Sequence, residues 1–543
     1  MNRSLLYVIL LLAFFLRIVG ITWGLPSDAN PVRPLQPDEQ WAVEVMGEMN
    51  WANGDFNPDQ AHREGTLAYT IWTSVAIVAQ KAGLIPKLAW EIDHFDSSYG
   101  RLLLLMRLVN VFADCLSVVL AFLCVRALGF RVEAGLWSAF LFAVLPFELI
   151  YAHYGRTHAI SNSLIMAACF AAAPMASGCS AKRTALCGFL CGCAAASRYP
   201  AAAVALVPLG ALTIRFVNRW RENDVLEPGP AMRWARDCTI VVVFLFIGFI
   251  LCDPYFFLEI ETTRRAIDFQ AKFFDQSQFG PVLFDTSKIR RYLTYLLPAG
   301  VQPYLWLYFY LTGAWLAFQP RLFRATLPLI GYLLVYFLIM AKGYCTDTPI
   351  FIRAMYGVFP GCALLAGIAS DFFWKQLSKS VTGRRAAVGM LAGIVLPSIL
   401  FDLAYVSAMQ GEDSRTELRR YFLDAQRVEG RPLVVGVFPA FNNFVVLPAL
   451  DGLDAPHPKV QFREDFVTNP GETDYVITAA FEPHQFPLFD KQSAELVASG
   501  SFARVLDLAR APSLLGYEFS VENNPHDLQY PFPRLSLFKR VRE

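Results

Sequence analysis

The sequence predicts an α-helical polytopic membrane protein with a C-terminal α/β domain outside the membrane. The chain of 543 residues is 55% hydrophobic and only 17% charged, and its mean hydropathy is +0.39. Soluble proteins carry about a quarter charged residues. Long apolar runs recur between residues 5 and 408, and the composition after them is that of a soluble domain. A net charge of +1 gives no support to a nucleic-acid partner, which would require a basic excess.

The first element is an apolar run from about Leu5 to Trp23, which carries Arg17 and is followed by no small-residue cleavage site. We interpret it as a retained anchor rather than a signal peptide. A bilayer core about 30 Å thick requires roughly 20 apolar residues per helix. Ten further runs bring the prediction to about 11 transmembrane helices. They are 102–125, 133–152, 159–177, 184–197, 199–217, 238–257, 300–318, 325–341, 351–371 and 386–408. The two short runs on either side of Arg198 can also be interpreted as one broken hairpin.

The basic residues between the spans predict the orientation. If the N-terminus is cytoplasmic, the cytoplasmic loops contain a consistent excess of Lys and Arg, including Arg126, Lys182, Arg219 and Arg384. The C-terminal segment then lies outside. The outer loops lack an Asn-x-Ser/Thr acceptor, which favours a bacterial plasma (inner) membrane. We predict a transmembrane domain at 1–409, with large outer loops at 24–100 and 258–298, and an extracytoplasmic α/β domain at 410–543.

The outer domain shows alternating helix and strand patterns. Helical spacing is present at 413–426 and 491–498, and buried strands are predicted at 432–437, 474–478, 502–508 and 535–540. No pattern in this domain indicates its function.

The strongest local signal for chemistry is Gln36-Pro37-Asp38-Glu39, just after the first span. Pro37 precedes two adjacent carboxylates, and Glu39 begins an amphipathic helix. A carboxylate at a helix start beside a membrane is easily desolvated, which suits a general base. The alternative is that Asp38 is only an N-cap and Glu39 only a favourable first-turn charge.

The carboxylate pair and a series of later motifs resemble one enzyme class. The motifs are Arg101 to Asn110, Arg198-Tyr199-Pro200, Cys252-Asp253-Pro254-Tyr255, Phe351 to Pro360 and Asp413-Ser414-Arg415. Their order and their predicted membrane side resemble GT-C polyprenyl-phosphate-sugar-dependent glycosyltransferases. The branch they resemble contains the protein O-mannosyltransferases and the lipid A aminoarabinose transferases.

The resemblance implies a fold and a reaction. It implies a GT-C membrane domain that moves a sugar from polyprenyl phosphate, with inversion, to a lipid, polysaccharide or protein acceptor. Asp38 would be the general base, and Glu39 would position it or a sugar hydroxyl. One departure lies in the first outer loop. Related sequences often read Glu-Lys-Pro-Pro-Leu-x-Tyr, whereas here Arg63-Glu64 reverses the charges and the prolines are absent, although Leu67 and Tyr69 fit.

The remaining candidates are basic or aromatic residues near the predicted outer membrane face. Arginines and lysines there could hold a phosphate. The donor-binding candidates are Arg63, Glu64, Tyr69, His153, Arg156, His158, Arg198, Tyr199, Tyr255, Lys342, Tyr344 and Arg353. Taken singly, Arg198 and Lys342 can also be interpreted as cations that bind ordinary phospholipid, whereas Arg353, near the start of a span, favours a functional or ion-paired role.

Two alternatives stay open at this stage. The histidines near Arg156 could join carboxylates at a divalent-metal site, or they could be polar interface anchors; the proposed reaction requires no metal. As a whole, the protein could instead be a lipid or glycan transporter or flippase, or a non-catalytic glycan-binding membrane protein.

Overall fold

The computed structural model describes residues 2–59, 61–222, 228–275, 286–343, 351–438, 443–450, 459–481, 485–522 and 524–541. The first α-helices are α1 Asn2–Ile18, α2 Pro37–Glu48, α3 Leu67–Lys81, α4 Ser97–Ala127, α5 Val132–Ala143, α6 Pro146–Ala152, α7 His158–Ala172, α8 Ala181–Ser197, α9 Leu206–Glu222 and α10 Pro228–Cys252. The next are α11 Tyr255–Leu258, α12 Ile260–Asp275, α13 Thr286–Arg291, α14 Leu297–Val301, α15 Pro303–Ala317, α16 Pro320–Gly343, α17 Val358–Leu377 and α18 Val381–Ala408. The last are α19 Ser414–Glu429, α20 Asn443–Leu450 and α21 Phe486–Ala498.

Each predicted span coincides with helical structure. Within the described ranges, six helices are long and apolar enough to cross a membrane: Ser97–Ala127, His158–Ala176, Tyr199–Arg221, Gly229–Cys252, Leu322–Ala341 and Val381–Ala408. A seventh candidate, Val132–Ala143 with Pro146–Ala152, is bent by 59°. The helices at the other predicted spans are too short or not apolar enough to be counted with these six. The polytopic helical class is thereby confirmed, whereas the orientation in the membrane stays a prediction.

The chain forms two compact units. The first contains Met1–Ile18, Val45–Ile77 and Met106–Asp402, and the second contains Val19–Glu44, Val78–Leu105 and Leu403–Glu543.

The first unit is a helical bundle with a buried ion pair. Arg17, the charge inside the first apolar run, pairs with Asp114 of α4, and both side chains are fully buried. The Nη1 of Arg17 also donates to the carbonyl oxygen of Ala143 (2.9 Å). A charge in an apolar environment requires such partners. Helices α8 and α10 lie close together, since a Cβ atom on Gly192 would lie 2.2 Å from the carbonyl oxygen of Leu245.

The second unit contains a five-stranded sheet. Its strands are β1 Val434–Val437, β2 Lys459–Phe462, β3 Tyr475–Ala480, β4 Phe502–Leu508 and β7 Arg534–Arg540, in the order β2-β1-β3-β7-β4. β1 is parallel to β2 and β3, and β7 is antiparallel to β3 and β4. Strands β5 Ser513–Leu514 and β6 Tyr517–Glu518 form a separate pair. The helices and strands predicted for the C-terminal segment are confirmed, while α20, β2 and the β5–β6 pair are additions.

Candidate functional site

The predicted site residues divide between the two units. Asp38 and Glu39 belong to the second unit. The first unit contains Arg63, Glu64, Tyr69, His153, Arg156, His158, Arg198, Tyr199, Tyr255 and Arg353. Tyr344 lies outside the described residues, and Lys342 is described only as a backbone position near the end of α16. The predicted site residues therefore fall into two groups, one in each unit.

Asp38 lies in the first turn of α2, and the side chain of Gln36 caps the N-terminus of this helix. The Oε1 of Gln36 accepts a hydrogen bond from the backbone N–H of Glu39 (2.8 Å), and its Nε2 lies 3.5 Å from Oδ2 of Asp38. Glu39 is fully buried and Asp38 is half-buried. Because Gln36 caps the helix, the interpretation of Asp38 as the N-cap is wrong. Gln36 is the first residue of the Gln36-Pro37-Asp38-Glu39 motif, but the sequence did not indicate that it would cap the helix.

In the first unit, Glu64 lies between Arg156 and Arg198. Its Oε1 is 3.5 Å from Nη2 of Arg156, and its Oε2 is 3.5 Å from Nη1 of Arg198. The two arginine side chains are only 4% and 6% exposed. Burying a charge is unfavourable unless a counter-charge or a ligand compensates it. Two buried guanidinium groups therefore converge on this one carboxylate.

The position of Glu64 depends on Gly65. This glycine has a φ of 103°, and a Cβ atom there would lie 2.6 Å from the carbonyl oxygen of Ala196 near the end of α8. Only glycine fits such a position without strain. The next residue, Thr66, donates from Oγ1 to the carbonyl oxygen of Cys252 at the end of α10 (3.2 Å). The turn that lacks the prolines of related sequences is thus held by close packing and a hydroxyl.

Arg198 follows α8 directly and contacts two side chains that the sequence did not single out. Its Nη1 donates to Oγ1 of Thr157 (3.1 Å), and its Cζ lies 5.1 Å from the ring centroid of Tyr356. The hydroxyl of Ser161 donates to the hydroxyl of Tyr356 (3.2 Å). Tyr356 follows Arg353 by three residues, a spacing of about one helical turn that could have identified it.

His153 and His158 are both buried, so neither is an exposed interface anchor. Nδ1 of His153 hydrogen-bonds with the carbonyl oxygen of Leu149 (2.8 Å). The His158 ring lies 4.5 Å from the ring of Tyr151 and 5.3 Å from that of Tyr356, between centroids. Within the described part of the chain, neither ring nitrogen of His158 has a hydrogen-bond partner. Buried polar groups of this kind normally find a partner, and a bound ligand would supply one.

Three arginines lie within electrostatic range of His158, namely Arg156, Arg198 and Arg353, which we call the arginine cluster. Arg353 lies in the turn Ile352–Met355, before α17 begins at Val358, and its predicted place near the start of a span stays a prediction. Its Cζ lies 3.9 Å from the ring centroid of Phe351. This turn is separate from α17, which begins at Val358. The Arg353 side chain is partly exposed.

Tyr69 and Arg63 lie at the same cluster. The buried Tyr69 is within electrostatic range of Glu64, Arg156, Arg198 and Arg63. Its ring packs edge-on against Trp72, with centroids 5.5 Å apart. Arg63, Glu64 and Tyr69 therefore converge with Arg156 and Arg198, although the two groups are far apart in sequence.

Tyr199 and His62 support the turn that carries Glu64. The hydroxyl of Tyr199 donates to the carbonyl oxygen of His62 (3.0 Å), and Nδ1 of His62 lies 3.1 Å from Oγ1 of Thr263. Burial lowers the pKa of His62, although Glu259 and Asp59 oppose this shift. At pH 7 the imidazole is therefore neutral and serves as a hydrogen-bonding group.

Tyr255 lies apart from this network. It begins the short helix α11, and across the described ranges it makes no hydrogen bond or ion pair with the arginine cluster. Two residues earlier, the buried Asp253 lies beside the hydroxyls of Thr66 and Tyr199. Asp253 is therefore the member of the Asp-Pro-Tyr motif that reaches the turn.

No group of three or more His, Cys, Asp or Glu side chains in the described ranges is arranged to hold a metal ion. A divalent-metal site that includes the histidines near Arg156 stays an alternative that the described residues do not support.

The chain has the fold of GT-C membrane glycosyltransferases, as comparison with solved structures shows. It aligns over 97% of its length with 77% of an oligosaccharyltransferase from Archaeoglobus fulgidus solved with a tethered acceptor peptide, at 12% identity and a TM-score of 0.50. A further match is ArnT from Cupriavidus metallidurans bound to undecaprenyl phosphate, with 98% of this chain and 97% of that one aligned, 13% identity and a TM-score of 0.43.

A third match covers a smaller part of the chain. The Saccharomyces cerevisiae protein O-mannosyltransferase Pmt1–Pmt2 complex bound to its sugar donor aligns with 48% of this chain and 34% of its own, at 18% identity and a TM-score of 0.34. No protein-family profile and no curated protein matches the chain. At identities of 12–18%, the structural likeness establishes the fold alone, because one fold can carry different activities.

Proposed function

We propose that this protein is an integral-membrane, inverting glycosyltransferase that moves a sugar from a polyprenyl-phosphate donor to the hydroxyl group of an extracytoplasmic acceptor. The observation that carries the proposal is the buried pairing of one carboxylate, Glu64, with two guanidinium groups, Arg156 and Arg198. Two buried guanidinium groups directed at one point suit the binding of an anion, because guanidinium groups match a phosphate in geometry and charge. The polyprenyl-phosphate group is an anion of this kind.

The proposed reaction assigns one task to each of the two groups of site residues. Asp38 takes the proton from the acceptor hydroxyl while the hydroxyl oxygen attacks the anomeric carbon. The bond between that carbon and the phosphate oxygen breaks, and polyprenyl phosphate leaves with the bonding electrons. This leaving group is stable as an anion, so stabilisation by Arg156, Arg198 and Arg353 replaces a general acid. One carboxylate base is then sufficient, in contrast to the two carboxyl groups of hydrolytic inverting enzymes.

The other candidates support these two tasks. Glu39 positions Asp38 or a sugar hydroxyl, and Arg63 and Lys342 add positive charge for the phosphate. His158 lies beside the arginine cluster, and neither of its ring nitrogens has a hydrogen-bond partner among the described residues. The acceptor is a lipid, a polysaccharide or a protein, and the fold shared with an oligosaccharyltransferase supports the class rather than any one acceptor.

A direct test uses purified protein in proteoliposomes with radiolabelled undecaprenyl-phosphate mannose or aminoarabinose. A glycosyltransferase releases undecaprenyl phosphate and transfers the label to an acceptor or to water. A flippase instead moves the intact donor between leaflets, and a glycan-binding protein retains it without turnover. Movement of intact donor without release of undecaprenyl phosphate from either lipid would contradict the proposal.

Glu64 should compete with the donor phosphate for the two arginines. In Glu64→Gln we expect undecaprenyl phosphate to bind about 3- to 10-fold more tightly, because both arginines lose one negative charge beside them but keep a neutral hydrogen-bonding group. Isothermal titration calorimetry in detergent measures the affinity. Glu133→Gln, which alters a partly exposed carboxylate in the same unit, is the control. Weaker binding in Glu64→Gln would instead mean that Glu64 assists phosphate binding.

A further inference from the structure

A buried arginine of the second unit joins the C-terminal segment to the loop that precedes Asp38. Asp413 caps α19, and its Oδ1 accepts hydrogen bonds from the backbone N–H and from Nε of Arg415 (2.9 and 2.8 Å). Its Oδ2 accepts from Nη2 of Arg415 (2.9 Å). The side chain of Arg415 is only 1% exposed and that of Asp413 only 3%. The pair is thus a bidentate ion pair in a buried environment, which holds the guanidinium plane in one orientation.

The remaining donors of this guanidinium reach two other parts of the chain. Nη1 of Arg415 donates to the carbonyl oxygen of Leu35 (3.0 Å), and Nη2 donates to that of Tyr530 (2.6 Å). Its Cζ lies 5.6 Å from the ring centroid of Trp23. One side chain therefore joins the first outer loop, the start of α19 and the segment before β7. A lysine could not make these bonds simultaneously, because it lacks the planar fork.

The contact at Leu35 is close to Asp38 along the chain and in structure. The N–H of Leu35 donates to the carbonyl oxygen of Gly24 (3.2 Å), so both polar backbone groups of Leu35 are hydrogen-bonded. Next comes Gln36, which is fully buried, caps α2 and places Nε2 3.5 Å from Asp38. Pro37 then restricts the backbone at the first residue of the helix. A continuous series of contacts thus leads from Asp413 to Asp38.

We propose that Arg415 is a positioning residue for the base: the outer domain holds Leu35 through the Asp413–Arg415 pair, and Gln36 transmits this constraint to Asp38. The inference rests on the proposed function, in which Asp38 is the base, and it gives the outer domain a role in catalysis. A displacement of a catalytic group by about 1 Å can lower the rate about 100-fold, and the arginines proposed to bind the donor phosphate are not part of this series of contacts. The constraint at Leu35 is therefore expected to act on kcat rather than on donor affinity.

Arg415→Lys tests the constraint while it retains the positive charge and most of the side chain. We expect kcat to fall about 10- to 100-fold, with the KM for the undecaprenyl-phosphate sugar changed by less than about 3-fold. Hydrogen–deuterium exchange should become faster in peptides that cover 33–44. The matched control is Arg420→Lys on the same helix, because Arg420 is 61% exposed and pairs with Glu412 at the surface. The control should match the wild type in both measurements.

A second variant separates positioning from general stability. Gln36→Leu preserves the Asp413–Arg415 pair and removes only the link to Asp38, so kcat should fall while exchange in peptides that cover 413–420 stays as in the wild type. If exchange at 33–44 is unchanged in Arg415→Lys, or if kcat is unchanged while exchange rises, the positioning role is overturned. Failure of the proposed function is a different result: Asp38→Asn would then retain transfer, whatever the exchange rates show.

Discussion

Asp38→Asn is expected to reduce sugar transfer by about 1,000-fold, which is the scale that a general base contributes. Asparagine preserves the size of the side chain and its contact with Gln36, but it cannot accept the proton from the acceptor hydroxyl. Binding of undecaprenyl phosphate should stay within about 2-fold of the wild-type value, because the arginine cluster is untouched. Steady-state transfer assays and calorimetric titration measure the two quantities separately.

The matched control for this variant is Glu44→Gln on the same helix. Glu44 is exposed and accepts a hydrogen bond from Gln40 (2.8 Å) at the surface. Removal of its charge should leave transfer unchanged. Normal transfer in Asp38→Asn would disprove the assignment of the base, and equal losses in both variants would indicate a general electrostatic effect of α2.

Arg198→Gln is expected to weaken the binding of undecaprenyl phosphate about 10- to 100-fold. A charge-assisted hydrogen bond contributes about 1.5–3 kcal/mol, and about 1.4 kcal/mol corresponds to a tenfold change in affinity. Because Arg198 also bonds to Thr157 and packs over Tyr356, its loss should lower kcat as well as affinity. Titration with undecaprenyl phosphate and transfer kinetics measure both effects.

Loss of Arg198 also leaves Glu64 with one partner fewer, and breaking a buried ion pair destabilises a protein by about 3–5 kcal/mol. The double variant Arg198→Gln/Glu64→Gln removes this complication, since the carboxylate that loses its partner Arg198 is neutralised as well. Arg236→Gln is the control, because Arg236 is 60% exposed and pairs with Asp237. Wild-type affinity in both the single and the double variant would exclude Arg198 from the phosphate site.

The helices were predictable because apolar length is a local property of the sequence. The runs at 102–125 and 386–408 lie within α4 and α18. The predicted run at 351–371 begins before α17 for the same reason, since apolar residues after Phe351 continue through the turn Ile352–Met355. Hydropathy does not register a break in helical geometry when the residues on both sides of it are apolar.

The candidate site was predictable only in part. The sequence indicated Arg156 because a charge at the mouth of a helical bundle is costly unless it binds an anion or pairs with an acid. Glu64 was a candidate through the altered motif of the first loop, and Arg198 was a candidate as a basic residue near the predicted outer membrane face. The ion pairs that join them, and the contacts with Thr157 and Tyr356, depend on the packing of α7, α8 and the turn before α17. Pairings between distant segments leave no periodic signal in a single sequence.

The sequence alone determined that this chain is a helical membrane protein with an α/β domain. Composition, the length of apolar runs and strand periodicity are all local properties that neighbouring residues set. It also indicated the Asp38–Glu39 pair, through its place beside Pro37 and the resemblance that it carries. Only the tertiary structure decided which charges meet. It joined Glu64 to two arginines, and it linked Arg415 to the backbone 380 positions earlier at Leu35. The physical reason is that a buried guanidinium selects its partners by distance and direction in space, which sequence separation does not reveal.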